Sequence, residues 1–144
     1  MKAILKEAIS AEEAAYQLYE RAIDMVADEQ ARTVLRELRD EELLHKEMLE
    51  TIDIDSWSIL PEEPERDELT FSDYLVGGKL SEGADLQEII LFAIKKEKGA
   101  RDFYSQLAET TSSRKAKEFF LKLSQMEEKH KQKCEALYWE TYGG

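Results

Sequence analysis

Residue types that bind metal recur in this chain at a fixed separation of 85 residues. The chain has two histidines, His45 and His130, and each is the last residue of a Glu-x-x-His motif. The paired positions are Glu12 and Glu97, Tyr19 and Tyr104, Glu42 and Glu127, and His45 and His130. A fold duplicated for packing alone needs to repeat only its apolar positions, whereas carboxylate and imidazole groups are metal ligands. The repeat therefore indicates a metal site.

Four segments carry apolar residues at alternating steps of three and four, the pattern of helices with one buried face. We predict an all-α protein with one helical hairpin over residues 2–52 and a second over residues 85–140. Asp85 followed by Glu88 reads as a capping box that starts the third helix. The whole chain, residues 1–144, is expected to form a single domain.

Residues 53–84 separate the two hairpins and contain Pro61, Pro64, Gly77, Gly78 and Gly83. So many helix breakers exclude one continuous helix. A helix of roughly 24 residues is about 36 Å long, and a segment of this length can run back along it. The sequence therefore predicts a ferritin-like four-helix bundle in which a long crossover connects the two hairpins.

The predicted hairpins bring the repeated residues to one height. Glu12 and Glu42 lie roughly equally far from the first turn, and Glu97 and Glu127 are placed likewise about the second. A Glu and a His three residues apart share a helix face. This ligand set is typical of a dinuclear carboxylate site, and two divalent ions would balance four buried carboxylates. The predicted ligands are Glu12, Glu42, His45, Glu97, Glu127 and His130.

Several residues near the predicted ligands can be explained without a role in metal binding. Glu13, Glu41 and Glu128 lie one position off the buried face, so we expect them at helix flanks or in water. Tyr19 and Tyr104 lie two turns after a predicted ligand and either hydrogen-bond the site carboxylates or serve as core aromatics. Cys134 is expected to be a small buried hydrophobic residue rather than a redox thiol.

Composition excludes some partners. The net charge is −12 and no dense block of Lys and Arg is present, so nucleic acid is not an expected partner. The longest uninterrupted apolar run is Ile89 to Ile94, too short to cross a membrane. A single cysteine excludes an internal disulfide and suits a reducing compartment, so we expect a cytoplasmic protein.

The segment Glu97-Lys-Gly-Ala-Arg-Asp-Phe-Tyr104, together with the two Glu-x-x-His motifs, resembles the rubrerythrin branch of the ferritin-like diiron proteins. The resemblance covers all four predicted helices. It implies a non-haem diiron centre that reacts with hydrogen peroxide or dioxygen, with the six matching residues as iron ligands. Manganese or a mixed iron and manganese pair suits the same ligands.

The chain departs from rubrerythrins in two ways. One cysteine cannot form the four-cysteine rubredoxin-like domain, so a separate protein is expected to donate electrons. Rubrerythrins also have an extra glutamate one turn from the third-helix ligand, where this chain has Ile94, Ala100 and Arg101. Our first hypothesis is a peroxide-scavenging or oxygen-scavenging oxidoreductase, expected as a homodimer. The second is an iron-binding or storage protein with a ferroxidase site, and the third is a metal-free structural bundle.

Overall fold

The computed structural model describes residues 2–52, 80–111 and 113–143, and helices account for most of them. The helices are α1 (Lys2–Ile23), α2 (Glu29–Thr51), α3 (Leu86–Thr110) and α4 (Arg114–Tyr142). The predicted all-α, ferritin-like class is confirmed, and no strand occurs in these three ranges. Most of the predicted crossover, residues 53–79, lies outside the described residues, and the assignment of residues 1–144 to one domain stays a prediction.

Side-chain caps fix where three of the helices begin. Asp28 and Ser113 occupy equivalent positions before α2 and α4, and each accepts a hydrogen bond from the backbone N–H three residues on. Asp85 accepts from the Glu88 N–H at 2.9 Å, and the Glu88 carboxylate accepts from the Asp85 N–H at 3.4 Å. The predicted capping box is therefore confirmed. These bonds satisfy donors that the first helical turn leaves unpaired.

The helices pack as two hairpins, with α1 against α2 and α3 against α4. The hairpins meet through α1 with α3 and α2 with α4. Thus α2 and α3 lie diagonally across the bundle. The end of α2 lies at one end of the bundle and the start of α3 at the other, as their core neighbours show. The positions of these two helix ends are those that the predicted long crossover requires.

The apolar core is divided into two clusters by a layer of polar side chains. The Phe103 cluster surrounds the start of α1 and the end of α2 and includes Leu5, Leu49, Phe103, Leu107, Phe120 and Leu123. The Leu38 cluster surrounds the α1–α2 turn and the start of α3 and includes Leu18, Leu35, Leu38, Ile89, Ile90 and Leu137. Burial of these side chains supplies the main driving force for folding. The polar layer between the clusters lies at mid-height.

None of the helices in the described ranges is both long enough and apolar enough to span a lipid bilayer.

The cap at Asp85 gives a direct test of this fold. Asp85→Ala removes the acceptor for the Glu88 N–H, so the free energy of unfolding should fall by about 1 kcal/mol. Urea denaturation of the metal-free protein measures the change. Asp24→Ala, in the turn after α1, is the control and should change stability by less than about 0.5 kcal/mol. Equal effects of the two substitutions would contradict the capping role of Asp85.

Candidate metal centre

The structure brings the six predicted ligand residues together in the polar layer. Each helix contributes at least one of them, from the buried face that its three-and-four residue spacing creates. None of the six is more than 3% exposed. Possible ligand atoms of four of them lie within 4.8 Å of one another, and those residues are Glu42, His45, Glu127 and His130. The ligand roles themselves stay predictions.

The two Glu-x-x-His motifs contact each other in a crossed arrangement. Nδ1 of His45 lies 2.9 Å from Oε1 of Glu127, and Nδ1 of His130 lies 2.9 Å from Oε1 of Glu42. The two imidazole rings stack with centroids 5.1 Å apart and planes 14° from parallel. Both Nδ1 atoms therefore face the carboxylates, so each histidine presents the same nitrogen to the centre of the layer.

Glu12 and Glu97 complete the layer from the other two helices. Oε2 of Glu12 lies 3.8 Å from Nδ1 of His45, and Oε2 of Glu97 lies 3.6 Å from Nδ1 of His130. These two Glu–His distances are equivalent, because the residues of one pair lie 85 positions from those of the other. Four carboxylate side chains, one from each helix, thus lie around the Nδ1 atoms of the two stacked histidines.

Two buried tyrosines hold the carboxylates of the opposite hairpin. The Tyr19 hydroxyl donates to Oε1 of Glu97 at 2.6 Å, and the Tyr104 hydroxyl donates to Oε1 of Glu12 at 2.7 Å. Of the two interpretations that the sequence left open, the structure supports hydrogen bonding. Burial raises the pKa of both tyrosines well above its usual value, so both hydroxyls keep the proton that they donate.

Cys134 is buried as expected, with 1% exposure. Its sulfur lies 3.3 Å from the Tyr19 hydroxyl, so it touches a residue that supports the layer. Burial raises the pKa of the Cys134 thiol, which disfavours the reactive thiolate. This environment fits the prediction of a small buried hydrophobic residue.

Burial of the carboxylates, with repulsion between their charges, is the main cost of this layer. Burial, with the nearby charge of Glu12, raises the pKa of Glu42 and Glu127 well above the usual carboxyl value. Burial alone would raise the pKa of Glu97 too, but its close contacts with Glu127 and His130 lower the pKa to about 2. Without cations the layer therefore favours protonation of Glu42 and Glu127, and divalent ions would replace those protons.

The residues present fit a metal pair. Oε2 of Glu97 is buried and has no hydrogen-bond partner among the described residues, so an acceptor atom is left for a cation. The donor set consists of carboxylate oxygens and imidazole nitrogens, which suit iron and manganese. Carboxylates can also bridge two ions, as in other bundle-core dinuclear sites.

A narrow cavity reaches the layer from the side of α1 and α3. It has room for a water-sized molecule, with about 20 Å³ available to its centre. Small side chains open it, and its lining includes all four carboxylate residues but neither histidine: Ala11, Glu12, Ala15, Glu42, Lys96, Glu97, Ala100 and Glu127. A small molecule would therefore approach the carboxylates from the side opposite the imidazoles.

One residue near the layer makes a contact that the sequence did not predict. Glu41 lies at a helix flank, as expected, but its Oε2 lies 2.5 Å from Nε2 of His130. The helix places it beside the neighbouring helix α4 while 40% of its side chain stays exposed. Glu13 and Glu128 do lie at the flanks, where they pair with Lys46 and Arg101. A one-helix periodicity cannot reveal contacts across a helix pair, which is why the role of Glu41 was missed.

Comparison with known proteins agrees with this geometry. The family model Rubrerythrin matches residues 80–143, which include α3 and α4. A solved structure titled as a hypothetical protein from Pyrococcus furiosus is similar over 94% of this chain and 85% of that chain, with a TM-score of 0.71 and 25% identity. No curated protein matches the chain in sequence. The resemblance to the rubrerythrin branch is therefore confirmed.

The layer gives the metal-free protein a predictable response to pH. Glu42, Glu127 and His130 have raised pKa values when folded, so above pH 6.5 each binds more protons in the folded than in the unfolded state. Stability should therefore fall as pH rises, by up to about 1.4 kcal/mol per pH unit for each such group. His45, with a lowered pKa, opposes this trend only below pH 6.5.

Thermal unfolding of the metal-free protein between pH 6.5 and 8.5 measures this dependence. The melting temperature should decrease across the range, and saturating divalent metal should remove the decrease because the cations replace the bound protons. The Glu127→Gln variant should show a shallower decrease than the parent. A metal-free protein whose stability is flat or rises over this range would contradict the proposed charge state.

Proposed function

We propose that this chain, rubrerythrin-like in its second hairpin and ferritin-like in its bundle, is a diiron-carboxylate oxidoreductase that reduces hydrogen peroxide or dioxygen. One observation carries the proposal. Four carboxylates and two imidazoles, buried and related by an internal repeat, meet in one layer that a small cavity reaches. Such a layer is costly to bury without cations and suits a pair of them.

The proposed ligands divide between the two metal positions. Glu42 with His45 would hold one ion and Glu127 with His130 the other, each through the Nδ1 atom that already faces the layer. Glu12 and Glu97 would complete the set. When bound, two ferrous ions would supply two electrons, which is the number needed to reduce hydrogen peroxide to water.

The chain's own residues would control access and charge. The cavity has room for a water-sized molecule, which suits oxidants as small as those proposed. Tyr104 and Tyr19 hold Glu12 and Glu97 by short hydrogen bonds, so these carboxylates keep their orientation when the metal charge changes. The two apolar clusters above and below keep bulk water from the layer, which strengthens the electrostatic interactions within it.

Further parts of the proposal concern partners and place of action. We propose two iron ions per chain, with manganese or a mixed pair as the chemical alternative. A separate protein would restore the reduced state, and the protein would act as a cytoplasmic homodimer. The alternative is an iron-binding or storage protein whose ferroxidase site feeds a cage. Size-exclusion chromatography with light scattering separates these alternatives, since a cage has many subunits and a dimer has two.

Anaerobic reconstitution with Fe(II) tests the metal centre. We expect about two irons per chain, followed by oxidation and a ferric charge-transfer band when peroxide or O2 is added separately. Glu97→Ala should lose both iron binding and the band, because it removes one of the proposed ligands. Glu13→Ala is the matched control, since Glu13 is an acid beside a ligand that pairs with Lys46 at the flank.

Each outcome of this experiment has a distinct meaning. Stoichiometric iron binding without oxidation by either reagent would contradict the oxidoreductase proposal and leave the metal site intact. Absence of binding would favour a metal-free structural bundle. In that case apolar replacement of Glu42 would raise stability, because it would relieve buried charge.

The tyrosine support gives a further prediction. Tyr104→Phe removes the hydroxyl that donates to Glu12 and leaves the aromatic packing, so iron affinity should fall by about 10-fold to 100-fold. Competition with a chelator under anaerobic conditions measures the affinity. Tyr138→Phe, which loses a bond to Gln87 at the surface, should leave it unchanged. An unchanged affinity in Tyr104→Phe would mean that this tyrosine serves only in packing.

A further inference from the structure

The internal repeat is strict at the ligands but fails directly behind the histidines. Glu41 and Lys133 lie beside His130, whereas the positions 85 residues away hold Met126 and Met48. The first flank is ionic and the second is made of thioethers. The residues that flank the layer therefore differ in chemistry between the two halves of the repeat.

The ionic flank holds His130 from behind. Oε2 of Glu41 lies 2.5 Å from Nε2 of His130, the nitrogen that faces away from the layer. This oxygen is buried and has no hydrogen-bond partner among the described residues, so its contact with His130 is an ion-pair contact and not a hydrogen bond. The other oxygen of Glu41 accepts a hydrogen bond from Nζ of Lys133 at 3.4 Å. Glu41 of α2 thus contacts two side chains of α4, one with each of its carboxylate oxygens.

The repeat-related residues Met126 and Met48 carry no charge that could act on His45. Met48 and Met126 are partly buried and pack against the Phe103 cluster. A thioether sulfur is only a weak hydrogen-bond acceptor and carries no charge. The residue types at these positions therefore favour packing on the His45 side and electrostatic support on the His130 side.

We propose that the two metal positions are inequivalent, and that the position served by His130 binds a divalent ion more tightly than the position served by His45. This inference rests on the proposed metal centre. A carboxylate held against the outer nitrogen of a ligating histidine favours one ring orientation, and its negative charge makes the inner nitrogen a stronger donor. Glu41 supplies that contact to one histidine. It acts as a positioning residue and does not itself contact the metal.

The consequence is an order of loading. The His130 position fills first and retains its ion, while the His45 position fills second and exchanges more readily. A centre of this kind can lose one ion without losing both. The inequivalence does not depend on the ligands, which the repeat makes alike, but on two flanking positions.

Titration of the metal-free protein with Co(II) under anaerobic conditions tests the inference. Calorimetry and the visible Co(II) bands both report binding without any turnover. The parent protein should bind two ions in separate steps, with the first at least about 10-fold tighter. In Glu41→Gln the first step should weaken by about 10-fold to 100-fold and the second should change little.

Glu128→Gln is the matched control. Glu128 is also an acid next to a proposed ligand, and it is also partly buried, but it pairs with Arg101 and not with a histidine. The control loses the same charge at an equivalent position beside the polar layer. The affinity of its first Co(II) binding step should therefore stay unchanged. Equal weakening in Glu41→Gln and Glu128→Gln would overturn the inference, because overall charge would then explain the loss.

A converse variant tests the same idea from the other side. Met126→Glu combined with Met48→Lys places the ionic pair behind His45, and the second step should then tighten toward the first. Circular dichroism checks that this variant folds, and Glu41→Gln decides the question if it does not. Two steps of equal affinity in the parent would overturn only the inequivalence. Absence of any Co(II) or Fe(II) binding would overturn the proposed function and this inference together.

Discussion

Four glutamates and two histidines share one buried layer at the middle of the bundle, and their burial is the constraint on which the rest of the structure depends. Removing an ionised carboxylate from water costs several kcal/mol unless a partner compensates. Hydrogen bonds from two tyrosines and contacts with two imidazoles compensate part of that cost. Protons or cations are needed to neutralise the remaining negative charge. The apolar clusters on either side must stabilise a core that is polar at its centre.

The internal repeat explains how one short chain can build such a layer. Each hairpin places its carboxylates at one height, and packing of the two hairpins about an approximate twofold axis crosses the motifs. Pairing across the axis gives each histidine the Glu of the other Glu-x-x-His motif as its neighbour in the layer. Residues outside this inner set have diverged, since Lys96 replaces Ala11 at the cavity and Cys134 replaces Leu49 beside a tyrosine. A metal pair would constrain the ligands alone and leave their surroundings free to differ.

The layer also has two chemically different sides. The histidines lie toward α2 and α4, where Glu41 reaches His130, and the cavity opens toward α1 and α3 between small side chains. An arrangement with imidazole nitrogens on one side and an entrance lined by carboxylates on the other directs any small molecule to the carboxylate oxygens. Ala15 and Ala100, a repeated pair, keep this entrance open because a larger side chain at either position would fill it.

The sequence alone determined the four helices, the hairpin pairing and the six buried residues of the layer. Helical periodicity and a fixed repeat can both be recognised from the order of residues along the chain. It also gave the start of α3 at Asp85, since capping depends on residues three apart. Only the tertiary structure decided that Tyr19 and Tyr104 donate to carboxylates of the opposite hairpin and that Glu41 contacts His130. These contacts join side chains on different helices, and their geometry depends on how the helices are rotated and packed against one another, which residue spacing along one helix does not specify.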